Sequence, residues 1–230
     1  METVTVQCGD RETREINREI RQRIAEGYKE IEIAAPGARH SLGVAILEPV
    51  HLTFNGSVGY YCAGLMDGAT VTIRGSAGWG LAESMMNGTV IVEGSAGNGA
   101  AAAMRGGTVV IQGDASARAG VSMKGGTLLI AGDSGYMTGF MAQKGTIIIC
   151  GDAGEALADS MYEAAVFVGG KIADLGTDAV IHEPTSEDGA FLRETLGAHG
   201  LDADRDWKKI VAGRKLWNFD KHESTWREIL

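Results

Sequence analysis

The side chains that could do chemistry in this chain are few in kind and widely spaced. Histidines stand at His40, His51, His182, His199 and His222, and cysteines at Cys8, Cys62 and Cys150. They form no Cys-x-x-Cys pair and no Cys/His ligand spacing, so neither a zinc site nor a disulfide framework is expected. The cysteines read as reduced thiols, as in a cytoplasmic protein. Gly78-Trp79-Gly80 and Gly97-Asn98-Gly99 are fragments of a phosphate loop, which needs a full Gly-x-Gly-x-x-Gly between a strand and a helix. Asp114, Asp133 and Asp152 recur at a fixed interval. Stacked carboxylates could hold a cation, although short polar residues in turns more often bond their own backbone. Met66, Met85, Met104, Met123 and Met161 recur likewise, and without histidine or cysteine in register they read as flexible core filler rather than a soft-metal ladder. Sequence therefore assigns no catalytic, cofactor-binding or metal-binding residue to this chain.

The fixed interval is a repeat. Gly56, Gly75, Gly94, Gly113, Gly132 and Gly151 fall 19 residues apart, and Gly37 and Gly170 extend the series. With each as offset zero, offset three is Gly59, Gly78, Gly97, Ser116, Gly135 and Gly154. Offset seven is Gly or Ala, offset ten is the methionine column (Ala142 interrupting), and offset fourteen is threonine from Thr70 to Thr146. Periods of this length mean a solenoid. Each unit ends in a β-prone run such as Thr89-Val90-Ile91-Val92 or Thr146-Ile147-Ile148-Ile149, and leaves no room for a helix. The expected fold is mainly β: a single-stranded right-handed parallel β-helix with 19-residue turns, flanked by short N- and C-terminal α-helical caps. Small residues at offsets zero, three and seven are expected where backbones pass closely, with glycine free to adopt positive φ. The nonapeptide calcium roll and the hexapeptide acyltransferase helix have other periods.

Alternation within the strand sorts its faces. Offsets fifteen and seventeen are aliphatic and should point inward. Offset sixteen should point outward, yet after Thr72 it reads Ile91, Val110, Leu129, Ile148 and Phe167. An apolar stripe of that length needs cover, from the chain's own terminal segments or from a partner subunit.

The flanks read as caps. Asp10 can cap a helix from about Arg11 to Glu26, with Ile16, Ile20 and Ile24 on one face and Gly27 as its stop. Tyr28 to Ala34 then reads as a strand. After the repeats, Thr185 and Asp188 suit a capping box opening a helix over Phe191, Leu192 and Leu196. A second helix is expected after Asp204, over Trp207, Ile210 and Val211. Trp217 and Phe219 in the tail suit a partner anchor. The expected domains are 1–36 (helix/strand cap), 37–170 (β-helix) and 171–230 (acidic helical cap and tail).

Composition narrows the function classes. The formal charge is −9, concentrated in the C-terminal cap, which disfavours nucleic acid. The N-terminus lacks a basic and apolar leader, and Pro49–Met66, though uncharged, contains His51, Asn55 and Ser57, so no membrane segment is expected.

The repeat Gly-x-x-Gly-x-x-x-Gly/Ala-x-x-Met, followed by a threonine-led aliphatic strand, resembles the GXGXG family. That family includes the C-terminal β-helical domain of the glutamate synthase large subunit and the C subunit of formylmethanofuran dehydrogenase. The likeness spans about 37–170, and Ser116, Ala142, Ala164 and Ala165 depart from it. Glu15-Ile16-Asn17-Arg18 and Gly37 to Val44 resemble the approach to the repeats in free-standing glutamate-synthase-type subunits, such as that of N-methylglutamate synthase. The resemblance implies a non-catalytic scaffold in such a complex. Expected partners are a class II glutamine amidotransferase-like subunit and an FMN-binding glutamate synthase-like subunit. It places FMN and iron–sulfur clusters on the partner and no cofactor on this chain, and leaves self-association open. The alternatives are the C subunit of a formylmethanofuran dehydrogenase or formyltransferase/hydrolase complex, or a self-sufficient enzyme working in a groove of the rod.

Overall fold

The computed structural model describes residues 2–214. Its strands are β1 (Thr3–Gln7), β2 (Glu30–Ala34), β3 (His51–Asn55), β4 (Asp67–Ile73), β5 (Asn87–Val92), β6 (Thr108–Ile111), β7 (Lys124–Ile130), β8 (Lys144–Ile149), β9 (Ala165–Val168), β10 (Ala179–His182) and β11 (Lys208–Ala212). Two helices, α1 (Thr13–Ala25) and α2 (Ser186–Gly197), complete it. From β1 to β9 every neighbour pairs in parallel and in chain order, the topology of a parallel β-solenoid. The 19-residue repeat is the register itself: Thr89 lies beside Thr108, and Thr108 beside Thr127. A second seam of single-residue bridges runs Val58, Ala77, Ala96, Ala115, Ser134, Ala153, Ile172.

The core is aliphatic and narrow. Strand residues at offsets fifteen and seventeen, from Val71 and Ile73 to Val166 and Val168, are fully buried. The methionines fill the space beside them. From Met66 to Met123 each Cε reaches toward a glycine of the next turn, as Met123 does toward Gly145. From Gly75 on, glycines at offsets zero and three are required by crowding rather than by φ. A Cβ on Gly75 would stand 2.7 Å from Ser57 N, and one on Gly78 2.7 Å from Gly59 C. Positive φ falls instead at offset thirteen, from Gly88 (+110°) to Gly145 (+103°), and at offset seven and its flanking alternate positions: Gly80 (+68°), Ala82 (+54°) and Ser84 (+56°) in one turn. Hydrogen bonds to both neighbouring turns hold this backbone, since Gly80 N–H donates to Asn98 O and Ala82 N–H to Cys62 O, both at 2.9 Å. They offset conformations that non-glycine residues adopt at some cost.

The N-terminal helix starts later than expected, with Glu12 rather than Asp10 as N-cap. A tight turn at Gly9 (φ +47°), closed by Arg11 N–H donating to Cys8 O, occupies Asp10, and the Glu15 carboxylate reaches back to Glu12 N–H. Ile16, Ile20 and Ile24 are buried in the core beside Val6 and Cys8, so α1 caps the end of the solenoid. The capping box at Thr185 and Asp188 opens α2 as expected.

The expected helix after Asp204 is instead β11. The last parallel strand, β9, leaves a row of backbone donors and acceptors unpaired. Lys208–Ile210 pairs with it in antiparallel fashion, and β10 pairs with β11 on the far side. Ile210 is buried either way, so its spacing could not distinguish helix from strand, and pairing decided.

This C-terminal cap is fastened by Lys209, whose Nζ contacts the Asp188 carboxylate at 2.8 and 2.9 Å. Burial raises the Asp188 pKa, but hydrogen bonds from Lys209 and Thr185 outweigh it and leave the group below the usual carboxylate range. A depressed folded-state pKa stabilises fully above the unfolded value, about pH 4, and the contribution is lost as pH falls through the folded one. Acidification into that window should lower the amide-exchange protection factors of α2, after correction for the pH dependence of intrinsic exchange, more than those of β5 to β7; an equal loss of protection would refute the assignment.

Candidate interaction surfaces

The outward stripe at offset sixteen is covered by the chain itself. Val110, Leu129, Ile148 and Phe167 are at most 2% exposed, packed with Leu192 and Leu196 of α2 and with Trp207. Trp207 is set by its indole N–H donating to Ala203 O at 2.9 Å, and the Arg205 guanidinium donates to Cys150 O at 2.9 Å. Ile91, at the margin of this cluster and packed against it, is half-buried. Trp217, Phe219 and His222 lie outside the described residues.

The stacked carboxylates brace the turns. Oδ1 of Asp114 accepts from Asp133 N–H (2.9 Å), that of Asp133 from Asp152 N–H, and that of Asp152 from Lys171 N–H (both 2.7 Å). Ser57, Ser76 and Ser95 do the same in the earlier turns. The bond therefore reaches the next turn's backbone, not the residue's own as expected. Among the described residues no cluster of three or more His, Cys, Asp or Glu is placed to hold a metal ion.

The histidines are not gathered. His40 Nδ1 accepts from Tyr60 N–H at 2.8 Å, and His51 bridges Glu30 (3.1 Å) and Thr72 Oγ1 (2.9 Å). His182 lies on β10, and His199 follows α2. All three cysteines are buried and free, and burial pushes each thiol up, Cys62 to about 12. At about pH 8, well below that value, Cys62 should resist alkylation in the folded protein and react only as it unfolds. Rapid native modification, read by peptide mass mapping, would contradict its placement.

A different set of side chains is exposed. Tyr61, Leu65, Trp79 and Tyr136 are each about half exposed. His40 stacks on Tyr60 (centroids 4.3 Å apart), and Tyr60 on Trp79 (5.1 Å). Sequence reasoning passed over this surface. Its signal was nevertheless present, since Tyr60, Trp79 and Tyr136 all fall at offset four.

Among the described residues no helix is long and apolar enough to cross a membrane. No family model matches the sequence. One chain of the crystal structure of the formyltransferase/hydrolase complex (FhcABCD) from Methylorubrum extorquens, solved with methylofuran, shares the fold at a TM-score of 0.54 and 23% identity. The match covers 75% of the present chain and 60% of that one, so the present chain spans about three fifths of that neighbour's length. Protein GlxC of Rhizobium meliloti (strain 1021) is 51% identical over 211 residues, covering 90% of this chain and 92% of its own. With that identity sustained over nearly the whole of both sequences, the chain belongs to the GlxC family.

Proposed function

We propose that this chain is a non-catalytic structural subunit of a glutamate-synthase-type complex. In this reading the complex is an N-methylglutamate synthase, converting methylamine and glutamate to N-methylglutamate and ammonia. The chain holds a class II amidotransferase-like subunit and an FMN- and iron–sulfur-containing synthase subunit in register, and is itself a GXGXG subunit. The observation that carries this is what the repeated polar side chains do. From Ser57 to Asp152 each spends its oxygen on the next turn's backbone, so the repeat builds a stiff rod. The 19-residue glycine repeat and the GlxC relationship support the same reading.

A native-source pull-down should bring down both subunits with a flavin absorbance, and deleting the gene should leave those two subunits unassembled. Full activity from the two partners without this chain would overturn the proposal. The fold shared with a chain of the FhcABCD complex supports a second reading, a C-type subunit of a formyltransferase/hydrolase assembly. Amidohydrolase-like partners in the same pull-down would select it.

A further inference from the structure

Three depressions join end to end along one side of the rod. The first, about 660 Å³, lies over α1 and is lined by Arg14, Asn17, Arg18, Arg21 and Ser41, with Glu12 at its rim. The second, about 390 Å³, shares Asn17, Arg21 and Ser41 and adds Tyr61, Leu65 and Glu83. The third, also about 390 Å³, shares Tyr61 and Glu83 and continues past Trp79 to Arg118 and Tyr136. Ser41 and Tyr136 lie five turns apart, which at ~4.8 Å per turn makes a trough of roughly 24 Å. That length matches about seven residues of extended chain.

Its walls are fixed. The Asn17 side chain donates to Ser41 O (2.7 Å) and accepts from Gly43 N–H (2.9 Å), while Arg21 donates to Val44 O (2.8 Å), pinning α1 to the first turns. A preformed groove spares its occupant much of the ordering cost. The charge is uneven. Glu19, the carboxylate in mid-helix, is engaged by Arg11 and Arg23. Arg14 and Arg18 are exposed and have no ion-pair partner among the described residues. Arg14, Arg18 and Arg21 against Glu12 therefore leave that end of the trough net positive, in a chain of net charge −9, whereas Arg118 and Glu83 balance at the other. The middle presents Tyr61 and Leu65 and the far end Trp79 and Tyr136, and Trp, Tyr and Arg are the residue types that dominate interface energetics.

We infer that this trough seats an extended segment of a neighbouring subunit, with carboxylates over Arg14 and Arg18 and apolar side chains against Leu65, Trp79 and Tyr136. Complementary charge sets the direction of the segment, and the aromatic shelf supplies most of the buried area. The inference rests on the scaffold reading and names the surface through which the scaffold grips a partner.

The test places the photoreactive residue p-benzoylphenylalanine at Leu65 in the chain co-expressed with the amidotransferase-like and synthase-like subunits. Irradiation of the assembled complex should give an adduct to a carboxylate-bearing peptide of one subunit. The double change Arg14→Glu, Arg18→Glu should lower its yield on the order of tenfold, as should raising the salt through about 0.5 M. Trp79→Ala should do likewise with the melting temperature unchanged. An adduct to a second copy or to residues 215–230 overturns the inference, as does an assembled complex that yields none. If the unsubstituted chain forms no complex with those subunits, the scaffold reading itself fails, a result distinct from loss confined to the variants.

Discussion

Leu129→Lys should detach the C-terminal cap from the solenoid. Leu129 is fully buried between the outward face of β7 and the cap, among Ile148, Leu192, Leu196 and Trp207. An ammonium there has no carboxylate among its packed neighbours, and burying an unpaired charge costs about 4 kcal/mol or more. That is a large share of the roughly 5–15 kcal/mol that holds a domain together. Leu129→Ala leaves a cavity instead and should cost about 2–4 kcal/mol. The damage should be local at first, because the stripe and the solenoid interior are separate apolar clusters. Cys150 packs in the cluster beneath the cap, beside the stripe, while Cys62 lies in the interior. In Leu129→Lys, Cys150 should thus become open to alkylation while Cys62 stays protected. A variant with Cys150 still shielded and a wild-type melting temperature would show that the cap does not depend on this contact.

Gly145→Val should prevent the chain from folding at physiological temperature. Gly145 has φ +103°, and a Cβ there would stand 2.7 Å from Gly126 O and 2.9 Å from both Gly125 C and Met123 Cε. Two of these contacts are backbone of the turn below, which can move only by breaking register with its own neighbours. A β-branched residue in that conformation adds backbone strain. Together the effects should exceed about 4 kcal/mol, beyond the usual range for a single substitution. Gly99→Ala is the control, since φ there is +69° but nothing lies within 4 Å of the added Cβ. It should cost about 1 kcal/mol. Circular dichroism melts of the two would separate crowding from conformation. Similar losses at both positions would mean that close approach of the turns is not what keeps glycine at Gly145.

The repeat made the solenoid legible because each turn is built from its own 19 residues and stacked on an identical neighbour. Glycine, methionine and threonine columns in sequence become ladders in space with no further information, and Thr89 beside Thr108 is read directly from the numbering. The inward and outward faces of the strands followed from alternation, and the start of α2 from Thr185 and Asp188, whereas α1 is capped by Glu12 and not by the expected Asp10.

The stripe's cover was not legible. Whether Leu129 meets Trp207 or another chain depends on how a non-repeating segment crosses back over the rod, and no period governs that path. The strand at Lys208–Ala212 escaped for the same reason. Its pattern fits helix or strand alike, and the unpaired edge of β9, some forty residues earlier, made the choice. The aspartates show the division most simply. Their spacing stacked Asp114, Asp133 and Asp152, but only the distance to the next turn's N–H decided that they brace backbone. The trough likewise joins arginines of α1 to Tyr136, more than a hundred residues away, because five turns of stacking bring them along one side. Sequence determined what repeats, since periodic packing is local. Tertiary structure decided what meets across the rod, since those contacts depend on where non-repeating chain can find unpaired backbone and uncovered apolar surface.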